Sequence, residues 1–241
     1  MRLEEMTWTE VETYLKSRKG IVLPTGSIEQ HGPIGLIGTD AICAREIAWA
    51  AADIAGAVVA PELAYAPAPF NMGFPGTVSL SAGLYCDLAR EVMQGLAHHG
   101  FSMIYVLNGH GANLEPLRKA AHDVGATIRI RSWWDFDRVN KLRRGYYGDW
   151  EGMHATPSEV AITQATHRVV QAGDTSPPRK LSAEYIAAHA GDRHGPPDEH
   201  RSDFPDGRVG SYSELARPEH GRELVNAAAQ AVAADFASFV H

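Results

Sequence analysis

Three short stretches of this 241-residue chain are apolar almost throughout: Gly20 to Pro24 (GIVLP), Ala57 to Ala60 (AVVA) and Met103 to Leu107 (MIYVL). A strand with one face in water alternates polar and apolar residues, whereas a strand apolar throughout must be covered on both faces. Helical patterns separate these runs: Thr7 to Lys16, Ala41 to Ala55 started by Thr39 and Asp40, and a helix capped by Ser81 and running through Leu96. Gly111 to Val124 reads as the next helix, Thr127 to Ser132 as a fourth strand, and Ser158 to Val170 and Glu219 to Val240 as later helices. Buried strands alternating with amphipathic helices form βαβ units, so the expected fold is α/β, with a mainly parallel sheet and helices on both faces. No internal repeat is present. The polar, proline-rich stretch from Gly173 to Gly210 reads as a surface excursion or subunit contact, which leaves a single domain over residues 1–241.

Composition narrows the partners. With 44% hydrophobic and 21% charged residues the chain is an ordinary globular one. A net charge of -7 argues against nucleic acid as main partner, because an acidic surface does not neutralise phosphates. The densest basic stretch, Arg138 to Arg144, reads as a solvated face. Cys43 and Cys86 fall inside helices and make no secreted disulfide framework, which suits a reducing compartment. No run approaches the roughly 20 apolar residues of a membrane span, and the N-terminus is acidic and amphipathic, unlike a signal peptide. A cytoplasmic location is the expectation.

Ligands of open α/β sheets gather at the carboxyl ends of the strands. Polar residues cluster there. After the first strand come Glu29, His31 and Asp40; after the third comes NGHGAN with His110; beyond the fourth lie Trp134, then Glu151, His154 and Glu159. Glu29 and His31 are two apart, so in extended chain they project to one side. Asp40 opens a helix, where the dipole favours a carboxylate. Gly109 and Gly111 frame His110 and let an imidazole approach an ion closely. Carboxylates and imidazoles without thiolates suit Zn²⁺, Mn²⁺ or Fe²⁺, and a carboxylate bridging two ions would use the whole set.

Each of these residues has a duller reading taken singly: Asp40 as a helix cap, Glu159 as first-turn charge, His110 as a turn residue. Their coincidence at successive strand ends outweighs those readings, because gathered carboxylates are costly unless a cation neutralises them. The remaining histidines read as structural: His98 and His99 at a helix end, His122 and His167 within helices, and His189, His194, His200, His220 and His241 in exposed polar sequence. Trp133, Trp134 and Trp150 are core aromatics by default, with one or two placed to form a pocket wall.

The segment LPTGSIEQHGPIGLIGTD, followed in order by FPGTVSL, NGHGAN, HATPSE and GRVGSYSELARPEHGRELV, resembles the creatininase (creatinine amidohydrolase) family over about Trp8 to Val232. That resemblance implies a three-layer α/β/α fold, a binuclear metal site, hydrolysis of non-peptide C–N bonds, and a homo-oligomer, a hexamer among the forms in view. Carried over, Glu29 and His110 hold one ion, His31 and Glu159 the other, and Asp40 bridges. His154 matches the family's non-ligand histidine, a proton shuttle. Trp134, Trp150 and Glu151 match substrate-pocket positions. Two departures stand out. Ala112 occupies a position where creatininase itself has a glutamate, which counts against creatinine as substrate, and the loop APAPFNMG is apolar and compact.

The expected reaction is attack of a metal-activated hydroxide on the carbonyl of a small amide, cyclic amides included. Two divalent ions draw the pKa of water from ~15.7 toward ~7, and His154 protonates the leaving nitrogen. The alternatives are a formamido-pyrimidine deformylase or modified-peptide peptidase of the same family, a non-catalytic metal- or metabolite-binding protein, and a dinuclear phosphatase. The last would need basic residues beside the ions.

Overall fold

β1 (Gly20–Thr25) and β3 (Met103–Asn108) lie side by side at the centre of the sheet in the computed structural model, which describes all residues except 172, 174, 175 and 192. β2 (Val58–Val59) pairs with β1 and β4 (Thr127–Ser132) with β3, giving an all-parallel sheet of order β2-β1-β3-β4. The register sets Val22 beside Tyr105 and Leu23 beside Val106. Side chains then alternate between two cores. Val22, Val59, Tyr105 and Leu107 meet α2 (Thr39–Ala55) and α9 (Pro218–Val240), while Ile21, Leu23, Ile104 and Val106 meet α1 (Trp8–Leu15), α3 (Ala82–His98) and α4 (Leu114–Ala120). The expected three-layer α/β/α arrangement is the one found. Alanines at 44, 48, 51 and 52 of α2 and at 227, 228 and 229 of α9 are buried in the layer those helices share.

The fourth strand follows a different rule. In TIRIRS the isoleucines Ile128 and Ile130 turn toward the α3 side, while Arg129 and Arg131 face α9 and pair with Asp235 at 3.0 and 3.3 Å. Charges on this outer strand also discourage edge-to-edge pairing with another chain.

Strand order positions the site. β1 leads to β2 on one side and is flanked by β3 on the other, so the crevice between the carboxyl ends of β1 and β3 is the switch point where ligands settle. Thr25 Oγ1 donates to Asn108 Oδ1 (3.1 Å), and Asn108 Nδ2 donates to the His110 carbonyl (2.7 Å), tying the two strand ends together. The first turn of α2 lies across them. A Cβ on Gly109 would sit 2.3 Å from the Asp40 carbonyl oxygen, and one on Gly26 would sit 2.2 Å from the Ala41 nitrogen. Both positions need glycine because helix and strand ends touch there.

Several expectations change. α4 stops at Ala120 rather than Val124, ahead of two left-handed residues, Asp123 and Gly125, so His122 lies in a turn. The helix expected from Ser158 to Val170 is α6 (Pro157–Thr166), with His167 as its cap. α5 (Asp137–Tyr147) has no sequence forecast, because so many of its residues are charged that the apolar period, Val139, Leu142 and Tyr147, is hidden. Arg143 of that helix does not lie on a solvated face; its guanidinium is tucked inward beside Glu151. Gly173 to Gly210 contains two short helices, α7 (Ala183–Ala188) and α8 (Pro197–Asp203), and part of it is buried. His200, expected in exposed sequence, is 3% exposed. It lies 5.0 Å from the His194 ring and 4.9 Å from Phe70, and Phe70 in turn meets His194 at 4.6 Å. Among the described residues no helix is long and apolar enough to cross a membrane.

This packing has consequences that can be measured. Burial pushes the pKa of His194 and His200 down to about 4, with neighbouring histidine charge adding to the effect and Asp203 opposing it at His200. The unfolded chain then binds more protons than the folded one. The stabilisation is complete above about pH 6.5 and is lost as pH falls toward 4. Protection factors in α7 and α8, taken relative to the intrinsic exchange rate at each pH, should fall over that interval while those of β1 and β3 stay high; unchanged protection in α7 and α8 would contradict the burial argument. Gly109→Ala forces α2 off the strand ends and should cost about 1–3 kcal/mol in denaturant unfolding, against a null result of an unmoved midpoint.

Candidate metal centre

The loop leaving β1 brings Glu29 and His31 to the crevice, α2 brings Asp40, the turn after β3 brings His110, and the first turn of α6 brings Glu159. All five are buried. Their ligand atoms form two groups that share Asp40, namely Glu29–Asp40–His110 and His31–Asp40–Glu159, each with its atoms within 4.8 Å of one another. Asp40 makes the junction by using both oxygens: Oδ1 is 3.0 Å from His31 Nε2, and Oδ2 is 2.9 Å from His110 Nδ1. Ser27 Oγ donates to Oδ2 at 2.8 Å and fixes the carboxylate plane. Glu29 Oε1 lies 3.3 Å from His110 Nδ1, and Glu159 Oε1 lies 3.8 Å from His31 Nε2.

Backbone carbonyls set the imidazole tautomers. His31 Nδ1 is 3.0 Å from the Glu29 carbonyl and His110 Nε2 is 2.7 Å from the Pro67 carbonyl. A carbonyl only accepts, so those nitrogens donate, and in the neutral rings His31 Nε2 and His110 Nδ1 carry lone pairs aimed at the carboxylates. Lone pairs and carboxylate oxygens facing each other at 3 Å repel unless a cation lies among them. This donor set of nitrogen and oxygen, with no thiolate, fits zinc, manganese or iron.

Electrostatics describe the same requirement in protons. Burial alone would lower the His31 pKa, but Asp40 and the two glutamates override it and raise it to about 10. Burial would raise Asp40, yet the two imidazoles hold it well below the usual carboxylate range. Burial raises Glu159 to about 7, with Asp40 adding to the rise and His31 opposing it. Three buried carboxylates at one spot therefore demand positive charge from protons or metal. Glu159 also closes a capping box: the Thr156 N–H donates to its Oε1 at 2.5 Å, and its own N–H donates to Thr156 Oγ1 at 3.3 Å. Helix cap and candidate ligand are one residue.

His154 stands beside the two groups and forms a third with Glu29 and His31, their ligand atoms again within 4.8 Å of one another. Its Nε2–H donates to the Gln30 carbonyl (2.7 Å), its Nδ1 lies 3.6 Å from Glu29 Oε1, and its ring is 4.6 Å from that of His31. Burial, followed by the charge on His31, depresses its pKa far below that of free histidine, so it is held neutral. Ala155, next along the chain, has a left-handed φ of 58°, and the backbone at His154 bridges to Val209 and Gly210.

A cavity of about 190 Å³ opens over these residues, walled by Trp133, Trp134, Arg143, Met153 and Thr156. Trp134, matched by resemblance to a substrate-pocket position, is among these lining residues. Trp150 and Glu151 are not among the described residues bordering it. Trp150 packs against Tyr212 (5.6 Å) under Lys180, and Glu151 accepts from Arg143 Nε (2.8 Å) and Ser158 Oγ. Sequence reasoning missed Asn71 and Gln30. Asn71 Nδ2 donates to Glu29 Oε2 (2.9 Å), and Gln30 Nε2 donates to Asn71 Oδ1 (2.7 Å) and to the Gly207 carbonyl (2.9 Å). The one available signal was the position of Asn71 in APAPFNMG, the apolar, compact loop in which the sequence departs from creatininase.

Comparison with known proteins identifies the family. The family profile for creatininase, described as creatinine amidohydrolase, matches residues 4–236. The creatinine amidohydrolase of Pseudomonas putida is 28% identical over 184 residues, 68% of this chain and 70% of that protein. The mycofactocin precursor peptide peptidase of Mycolicibacterium smegmatis is 38% identical over 106 residues, spanning 42% of each chain. A solved manganese form of creatininase superposes with a TM-score of 0.76 at 22% identity, covering 99% of this chain and 98% of that one, so the fold is shared throughout. The chain belongs to the creatininase family and is a hydrolase of that family.

Proposed function

We propose that the protein is a metal-dependent amidohydrolase acting on a small amide, with Glu29, Asp40 and His110 holding one divalent ion and His31, Asp40 and Glu159 a second. The observation that carries this reading is Asp40, one carboxylate whose two oxygens face two imidazoles at 3.0 and 2.9 Å. When bound, such ions supply Lewis acidity and lower the pKa of water from ~15.7 toward ~7. The chain's own groups do the rest. Asn71 holds Glu29 in its plane, and backbone carbonyls keep His31 and His110 in the ligating tautomer. His154 belongs to neither Asp40 group; with Nε2–H anchored on Gln30 it presents Nδ1 to accept a proton and pass it to the departing nitrogen. Its neutral state suits the accepting role. Trp134 and Met153 exclude bulk water from the wall.

The cavity volume of about 190 Å³ favours a small molecule over an extended peptide, which needs an open groove. Ala112 supplies no carboxylate, which disfavours creatinine. The same reading takes residues 1–241 as one domain in a reducing cytoplasm, where buried Cys43 and Cys86 remain thiols. It also takes the protein as a homo-oligomer, supported by exposed apolar side chains at Ile37, Tyr65, Met72, Val78 and Leu84.

The test loads the protein with manganese or zinc and assays small cyclic and linear amides against phosphate esters. Amide hydrolysis alone is expected; hydrolysis of esters with amides untouched would replace this reading with a phosphatase. His154→Ala should retain its metal by elemental analysis and lose turnover by about 10²–10⁴-fold. Asp40→Ala should lose both ions, and normal metal stoichiometry in that variant would remove the bridge.

A further inference from the structure

Among the described residues, the cavity wall carries one cation that belongs to neither Asp40 group. Arg143 of α5 borders the cavity, its side chain 18% exposed, and its guanidinium carbon lies 5.5 Å from the Trp133 ring centre. Nε donates to Glu151 Oε1 (2.8 Å) and Nη1 to Asn140 Oδ1 (3.0 Å). A guanidinium has five N–H donors; with two committed, three remain, including one on Nη1 and both on Nη2. Those two nitrogens form the edge that a carboxylate accepts side by side. Trp133, 1% exposed and bordering the same cavity, has an indole N–H with no hydrogen-bond acceptor among the described residues. A buried donor left unmet costs about 1–3 kcal/mol, which a ligand oxygen in reach would recover.

The support behind Arg143 is rigid. Glu151 also accepts from Ser158 Oγ, and Ser158 precedes Glu159 in the first turn of α6. The arginine is thereby braced against the helix turn that carries a proposed metal ligand, at fixed spacing from it. The Arg143–Glu151 pair is only partly buried, with side chains 18% and 14% exposed, and a partly exposed ion pair adds little stability of its own.

We propose that Arg143 and the Trp133 indole N–H form a carboxylate-binding subsite in the cavity, so that the amide hydrolysed here carries a carboxylate. This inference rests on the amidohydrolase reading and assigns its substrate class. Arg143 sets specificity; it takes no part in bond cleavage.

The experiment compares, on manganese-loaded protein, the mono-amides of malonate, succinate and glutarate with propionamide, butyramide and valeramide, their uncharged counterparts. At least one acidic member should be preferred in kcat/KM by about 10- to 100-fold, the worth of a charge-assisted hydrogen bond. Arg143→Met should bring that ratio near one, and Arg143→Lys, which keeps the charge without the fork, should fall between. The double variant Arg143→Met/Glu151→Gln guards against instability from a stranded carboxylate. Equal rates for acidic and uncharged amides, or a preference that survives Arg143→Met, would overturn the subsite while leaving the amidohydrolase intact. If no amide is turned over, it is the amidohydrolase reading that fails. Calorimetry with succinate then judges the subsite: binding at least 10-fold weaker in the methionine variants supports it, and equal binding overturns it.

Discussion

Everything at the switch point is arranged around the Asp40 carboxylate. It sits in the first turn of α2, where the helix dipole favours negative charge, and reaches two imidazoles at once. The helix can come this close only because Gly26 and Gly109 have no side chain. The sheet order opens the crevice, and the paired carbonyls at Glu29 and Pro67 turn the imidazoles toward it. Fold and site are thus parts of one packing problem. A charge of this kind, buried in so tight a space, is tolerable only with a positive partner, and the surrounding imidazoles and carboxylates are of the kinds that can hold a divalent cation.

The sequence made the main architecture legible because the central strands are buried on both faces, and a run such as MIYVL fits little except a covered strand. The spacing of Glu29 and His31, the glycines around His110 and the helix-opening Asp40 were visible for the same reason: each is a local feature with a local consequence. Long-range relations stayed hidden. Nothing near Gln30 announces that its amide will span Asn71 and Gly207, and nothing in the charged segment 137–147 marks Arg143 as the residue that turns inward. His200 was misplaced because its burial comes from Phe70, 130 residues earlier in the chain.

The cavity wall explains how one scaffold can serve different substrates. The proposed metal ligands come from strand ends and helix starts, which the two cores hold rigidly. Trp134, Arg143 and Met153 come from later segments, beyond the sheet's last strand. Such segments change without disturbing the centre, as expected where a stable framework carries variable connections. The apolar loop 66–73, which does not border the cavity among the described residues, is less free to change, since Asn71 within it reaches back to Glu29.

The double duty of Glu159 has an evolutionary reading. As the third residue of a capping box it secures the start of α6 whether or not an ion is present. A lineage that abandoned catalysis would still be under selection to keep this glutamate, so its survival in a distant sequence is poor testimony to activity. His154 caps no helix; its buried ring is held by the Gln30 carbonyl and packs beside His31. With the proton-transfer role proposed for it, that histidine is the more informative marker when working enzymes are sorted from silent descendants.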